Sequence, residues 1–300
     1  MTQPLTLHGI IVPLVTPFDD NNQIDHGAVR RVVDFVVGKG VHAVMVGGTT
    51  GEGMLLNLDE RKQLLETVVE QVNTRVPVIA HTGCIDTAST VELSRHAQQA
   101  GATVISAITP YFFTLSDEQL YRHFLTVAEV APDLPMLLYV FPGNAKNDIS
   151  PALLRRLLQA APNIVGIKSS NDDLVRFQEY VEVGGKGFTP CFGVDELMLG
   201  GLVFGSKAQI SGNSNSFPEP FIRLYDAFRA GDLQLAQQLQ RIVNTVVNIH
   251  QGGRTTAYFK ATLAIRGIQA GRVRSPMCEL TMKEMEEVSL GVKELDAGDE

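Results

Sequence analysis

Residues 163–172 read NIVGIKSSND. Ile164, Val165, Gly166 and Ile167 form a short apolar run of the kind that makes a strand buried on both faces, and the run ends on Lys168, ahead of two serines and a polar stretch. A lysine that closes a buried strand needs a reason. Among Val165, Ile167 and neighbouring strands an inward ammonium loses its water, which favours the neutral amine. A neutral amine is a nucleophile that forms a Schiff base with a ketone. The ordinary alternative is a lysine paired with a buried carboxylate, and the sequence offers no acidic residue at the end of an adjacent strand.

The same kind of run recurs along the chain. Strands are predicted over 9–15, 42–47, 77–81, 103–107, 135–140, 164–168, 189–192 and 207–211, short, rich in branched residues and apolar on both faces. Amphipathic segments with start signals lie between them. Asn57 with Glu60, and Ser116 with Gln119, have capping-box spacing, and Ser150 precedes Pro151 as a cap precedes a first-turn proline. Eight strands, each followed by a helix, predict an α/β fold of the (β/α)8 TIM-barrel type, with a doubly wound sheet as the alternative. In such a barrel the site lies at the C-terminal ends of the strands. Lys168 is at that end, whereas Lys207, opening strand eight, is at the other.

The barrel is expected to occupy residues 1–231, followed by a C-terminal helical domain over 232–300. Leu233, Leu235, Leu239, Ile242, Val243, Val246 and Val247 recur at helical spacing within 232–251, a second helix is expected over 254–268, and Thr281 with Glu284 caps a third. The closing residues LDAGDE are polar and expected to fray.

Bulk properties exclude several functions. The chain has 300 residues, 44% of them hydrophobic, and a net charge of −8 from 33 acidic and 25 basic side chains. It has no basic stripe, so no nucleic-acid partner is expected. No apolar run approaches the ~20 residues that span a bilayer, and the opening MTQPLTLHGI lacks the pattern of an export signal. Cys84, Cys191 and Cys278 are odd in number and far apart, which fits a reducing, cytoplasmic setting without disulfides. The seven histidines form no close ligand pair, so no metal is expected, and His81, ending strand three, is placed in a structural or substrate-facing role.

Two further stretches lie at strand ends. GGTTGEG, Gly47 to Gly53, follows strand two, where glycines admit a ligand to the backbone and the Thr49 and Thr50 hydroxyls with successive amides can grip a carboxylate. It lacks Gly-Lys-Ser/Thr and Gly-x-Gly-x-x-Gly, so it is no nucleotide loop, and its plain alternative is a tight turn. YVFPG, Tyr139 to Gly143, ends strand five, next to Lys168, where a phenol can move a proton or simply pack a loop. TPYFF puts Tyr111 at the rim of strand four, with Phe112 and Phe113 read as packing or subunit contacts.

With IVPLVTPF near the start, GGTTGEG, TPYF, tyrosine-x-x-proline at 139–142, GIK at 166–168, FGVDE at 192–196, Gly200–Gly201 and ISGN at 210–213, the chain resembles the dihydrodipicolinate synthase / N-acetylneuraminate lyase family nearly end to end. The resemblance implies a class I aldolase in a barrel. Lys168 would form an imine with pyruvate or another 2-keto acid, and Tyr139 would shuttle protons. Thr49 and Thr50, with Gly48, would hold the carboxylate, Thr49 being placed to hydrogen-bond Tyr139. Ile210 and Gly193 would line the pyruvate pocket. No cofactor is implied beyond the imine itself, and a homo-oligomer, tetramer or dimer, is.

The departures bear on substrate. The synthases of the family show Tyr-Asn-x-Pro-x-Arg at strand five and a second tyrosine after Thr-Pro-Tyr. Here Val140, Asn144 and Phe112 occupy those places. An amide cannot supply arginine's charged, bidentate fork. A run of hydroxyls and amides, Ser211 to Ser216, ends strand eight; this run, Ser211 and Asn213 included, is read with Asn144 and Ser169 as contacts for a polyhydroxylated tail, a polar loop being the plain alternative, and Tyr111 is read as a substrate contact at the rim. The expected activity is therefore cleavage or dehydration of a 2-keto-3-deoxy sugar acid. Condensation of pyruvate with aspartate semialdehyde is the alternative, and a non-catalytic keto-acid sensor the second.

Overall fold

The computed structural model describes residues 7–298, so the opening residues 1–6 and the last two of LDAGDE lie outside it. Eight parallel strands close into a barrel in chain order, β8 pairing back onto β1. The elements run β1 Gly9–Pro13, α1 His26–Gly38, β2 Ala43–Val46, α2 Leu58–Val72, β3 Val78–His81, α3 Thr87–Gln99, β4 Val104–Ile108, α4 Asp117–Val130 and β5 Met136–Val140. They continue through α5 Pro142–Ala145, α6 Pro151–Ala160, β6 Ile164–Ser169, α7 Leu174–Gly184, β7 Thr189–Phe192, α8 Met198–Val203, β8 Ala208–Ile210 and α9 Pro218–Arg229. Three more helices follow, α10 Leu233–Ile249, α11 Thr256–Ile265 and α12 Met282–Gly298.

The strands are apolar on both faces because both faces are covered. Ile11, Ala43, Met45, Ile79, Val104, Leu137, Cys191, Ala208 and Ile210 fill the barrel, while Val12, Val44, Val46, Ile105, Leu138 and Ile167 pack outward under the helices. Ile167 is thus not a wall of the lysine's surroundings, as its place in the sequence implies. It faces the helices, and its neighbours Gly166 and Lys168 face in. Both capping boxes form, Asn57 with Glu60 and Ser116 with Gln119, and Ser150 caps α6.

The βα repeat stops near Gly231, but the hydrophobic core does not. Phe259, Leu263 and Ala270 belong to the cluster that covers the strands, and Ile10 of β1 packs with Val243, Val246, Tyr258 and Val288 of the closing helices. Among the described residues no helix is long and apolar enough to cross a membrane.

Candidate active site

The GIK triplet is explained by crowding. A Cβ on Gly166 would lie 2.3 Å from the Thr189 carbonyl oxygen and 2.6 Å from Leu137 Cδ2, so only glycine fits where β5, β6 and β7 converge. Register then sets Tyr139, Lys168 and Cys191 side by side on three neighbouring strands. Lys168 Nζ stands over the Tyr139 ring, 4.1 Å from its centroid, and both residues are buried. Among the described residues Lys168 makes no ion pair and no hydrogen bond. A Cβ on Gly193 would come within 3.3 Å of Lys168 Cε and 2.5 Å of Ser170 Oγ, so this glycine keeps the lysine's space open. Burial holds the Cys191 thiol up at about 12, so this neighbour of Lys168 stays a protonated thiol.

A cavity of about 390 Å3 opens at the C-terminal ends of the strands, lined by Thr49, Met54, His81, Ile108, Tyr111, Gly143, Asn144 and Ala145. Ile108 and Ala145 pack on Tyr139, which joins the cavity to the lysine. Thr49, Tyr111 and Asn144 therefore meet around one space, although they lie far apart in sequence. Thr50 lies deeper, its Oγ1 3.0 Å from where a Cβ on Gly212 would be, and Gly48 and Ile210 are buried beside the same strand ends. No hydrogen bond joins Thr49 to Tyr139 among the described residues, unlike the arrangement the resemblance implies. Phe112 and Phe113 stand off the rim, 73% and 63% exposed, ring against ring.

The loop after β2 is tied down by contacts its own sequence does not display. A Cβ on Gly53 would fall 2.0 Å from the Gly47 carbonyl oxygen, so the loop closes on itself there. Glu52, at φ 54°, turns its buried carboxylate away from the cavity and toward α11. Lys260 Nζ meets it at 2.6 Å, Thr256 Oγ1 donates to it at 3.0 Å, and the Arg274 amide donates to it at 2.8 Å. Lys260 also donates to the carbonyls of Thr16 and Arg272. The Arg274 guanidinium forks onto Glu60 at 2.8 and 2.9 Å.

The polar run after β8 is arranged differently from its sequence reading. Asp195, just past β7, is a buried acid near an adjacent strand end, and it faces that run rather than Lys168. It accepts from Gln209 Nε2, Ser211 Oγ and Asn213 Nδ2, each at 2.6 Å. Asn213 Oδ1 accepts a hydrogen bond from His250 Nδ1 at 2.8 Å, and Asn215 Nδ2 donates to the Pro13 and Gly212 carbonyls. The Ser211 and Asn213 side chains are thus spent inside the fold, and Ser169 is buried off the cavity with its Oγ unpartnered, which leaves Asn144, beside the rim residue Tyr111, as the one of those tail contacts that faces the cavity. Burial pushes the Asp195 carboxyl up to about 6, against the pull of its three donors.

Among the described residues, no group of three or more His, Cys, Asp or Glu side chains is arranged to hold a metal ion.

The model of the Dihydrodipicolinate synthetase family matches residues 6–295. The chain belongs to that family. A 4-hydroxy-tetrahydrodipicolinate synthase of Thermus thermophilus is 41% identical over 231 residues, 77% of each chain. An N-acetylneuraminate lyase of Rhizobium meliloti is 34% identical over 272 residues, 91% of this chain and 90% of that one. Among solved structures, YagE, a prophage protein of the dihydrodipicolinic acid synthase family from E. coli K12 in complex with pyruvate, superposes with a TM-score of 0.92 at 29% identity, covering 97% of this chain and 99% of that one. The chain is accordingly an enzyme of the aldolase and lyase class. Relatives named for synthesis and for cleavage both match it, at 41% and 34% identity in these two cases.

Proposed function

We propose that the chain is a Schiff-base lyase that cleaves or dehydrates a 2-keto-3-deoxy sugar acid and yields pyruvate on cleavage. The observation that carries this reading is Lys168, buried in the barrel beside Tyr139 with no ion pair and no hydrogen bond among the described residues. Lys168 Nζ attacks the C2 ketone and one of its amine protons passes to the ketone oxygen; Tyr139 adds its phenol proton, the oxygen leaves as water, and an iminium and the Tyr139 phenolate remain. Tyr139 then takes the proton of the C4 hydroxyl. The C3–C4 bond breaks, its electron pair moves into the iminium, and C4 leaves as an aldehyde. The enamine is protonated at C3 and hydrolysed to pyruvate. The iminium is the electron sink, so the scheme calls on no cofactor or metal. Thr49 and Thr50 grip the carboxylate, Gly48 brings the backbone close to it, and Gly193 and Ile210 shape the pyruvate end.

The neutral rim supports a hydroxylated substrate over aspartate semialdehyde. Asn144 lines the cavity where the synthases of the family place an arginine, and Phe112 offers no hydroxyl. The synthase reading stands second, because the Thermus relative at 41% identity carries that name. Three unbridged cysteines fit the cytoplasmic setting, and the exposed Phe112–Phe113 pair supports the homo-oligomer, tetramer or dimer.

Borohydride trapping with pyruvate, read by intact mass and peptide mapping, tests the chemistry. A pyruvate adduct on Lys168 is expected, and a folded protein without one sinks the reading. Turnover of 2-keto-3-deoxy acids against pyruvate plus aspartate semialdehyde then separates lyase from synthase.

A further inference from the structure

His81 is the last residue of β3, turned into the barrel and buried. It lines the cavity with Thr49, Tyr111 and Asn144, and its ring lies edge-on to Tyr139, 5.9 Å between centroids. Its two nitrogens are in unlike positions. Arg61 Nη2, which donates to the His81 carbonyl at 2.6 Å, also lies 3.3 Å from His81 Nδ1. A guanidinium only donates, so Nδ1 must accept, and the ring proton resides on Nε2. Nε2 is buried and has no hydrogen-bond partner. On the neighbouring strand the register partner of His81 is Ser106, whose buried Oγ is also unpartnered. Burial, then the charges of Arg61 and Lys168, hold His81 well below its ordinary range, with the Gly47 backbone pulling the other way. The ring is thus neutral throughout the working pH of a cell.

Arg61 is itself unusual. It is a buried guanidinium whose hydrogen bonds run to the Gly83 carbonyl, the Cys84 thiol and His81, with no carboxylate among them. A cation so placed holds one histidine in one tautomer.

We infer that His81 is a specificity-determining donor, whose Nε2–H binds the C4 oxygen of the substrate while Arg61 acts as the positioning residue behind it. This rests on the lyase reading above. During cleavage the C4 hydroxyl gives its proton to Tyr139, and the oxygen carries developing negative charge until C4=O forms. A preorganised neutral donor at that oxygen favours the transition state over the ground state. The donor also selects substrates that bear an oxygen at C4, because without one the buried N–H stays unsatisfied.

The test compares two trapping reactions in one protein. Borohydride trapping is measured with pyruvate, which has no C4, and with a 2-keto-3-deoxy sugar acid, alongside steady-state cleavage. In His81→Leu the ratio of sugar-acid turnover to pyruvate trapping is expected to fall about 100-fold, and His81→Gln, which keeps a donor, recovers part of it. Long-range 1H–15N correlation spectra of the histidine rings are expected to show a neutral Nε2–H tautomer for His81 that becomes mixed in Arg61→Met. An unchanged ratio in His81→Leu, or an Nδ1–H tautomer in the unmodified protein, overturns the inference. Failure of the unmodified protein to trap pyruvate at all would instead defeat the lyase reading, with the tautomer result still legible.

Discussion

Lys168 and Lys260 are both buried, and both set Nζ over an aromatic ring, 4.1 Å from the centroid of Tyr139 and 4.8 Å from that of Phe18. There the likeness ends. Lys260 has a carboxylate at 2.6 Å and two backbone carbonyls, so all three of its donors are used. Lys168 has neither carboxylate nor carbonyl. Lys260 has every donor satisfied and is held in place, whereas Lys168 has none satisfied and is the one the proposed chemistry calls on. Burial alone therefore does not separate the two lysines; their partners do.

The first way to break the contrast is Lys168→Ala. Turnover and borohydride trapping are expected to vanish, while the circular dichroism spectrum and melting temperature stay close to those of the unmodified protein. Measurable turnover would make the two lysines alike after all.

Lys260→Met should do the reverse. It strands the Glu52 carboxylate in the core, at a cost of about 3–5 kcal/mol of stability, to be read by urea unfolding. Pairing it with Glu52→Gln removes the stranded charge, and a good part of the loss should return. A double variant no more stable than Lys260→Met would show that the ion pair is not the source of the cost.

Asp195 supplies an intermediate case, a buried charge with three hydrogen bonds and no counter-ion. Its carboxyl is raised to about 6 from the ordinary 3.8, so between those values the folded protein holds a proton that the unfolded chain has lost. The unfolded state then binds fewer protons, and stability falls as pH rises through that window. The loss is on the order of 2–3 kcal/mol for this group. Unfolding measured near pH 4 and pH 7 should show this slope in the unmodified protein and a flatter one in Asp195→Asn; equal slopes would remove Asp195 as its source.

The smallest effect concerns the cavity mouth. Asn144→Arg places a cation on the rim, within the space that Lys168 serves. It is expected to lower kcat/KM for polyhydroxylated acids roughly tenfold while improving substrates with a second carboxylate. An unchanged ratio between the two substrate types would take Asn144 out of recognition.

The parts of the fold that sequence displays are those set by local rules. Apolar runs on both faces, two capping boxes and Ser150 before Pro151 place strands and helices within a residue or two, and register carries Lys168 to Tyr139. The parts it hides are pairings across long separations. Glu52 and Lys260 are 208 residues apart, and nothing in GGTTGEG says where its carboxylate goes. A signal did exist on the other side: Lys260 stands in TAYFKATLAI, a helix apolar enough that a lysine there must have a buried partner. The run after β8 misleads for the opposite reason. Serines and asparagines read as a solvated surface, and only the folded chain shows Asp195 gathering them. Arg61 and His81 are 20 residues apart, and their meeting depends on where α2 lies against β3.

The glycine-threonine loop thus takes its shape from residues near the end of the chain. A polypeptide emerging from the ribosome carries Glu52 through most of its synthesis before Thr256, Lys260 and Arg274 exist to receive it. The loop is made early and tied down last, so a chain cut short before Arg274 keeps all eight strands and the lysine of the sixth, yet lacks a full clasp on Glu52.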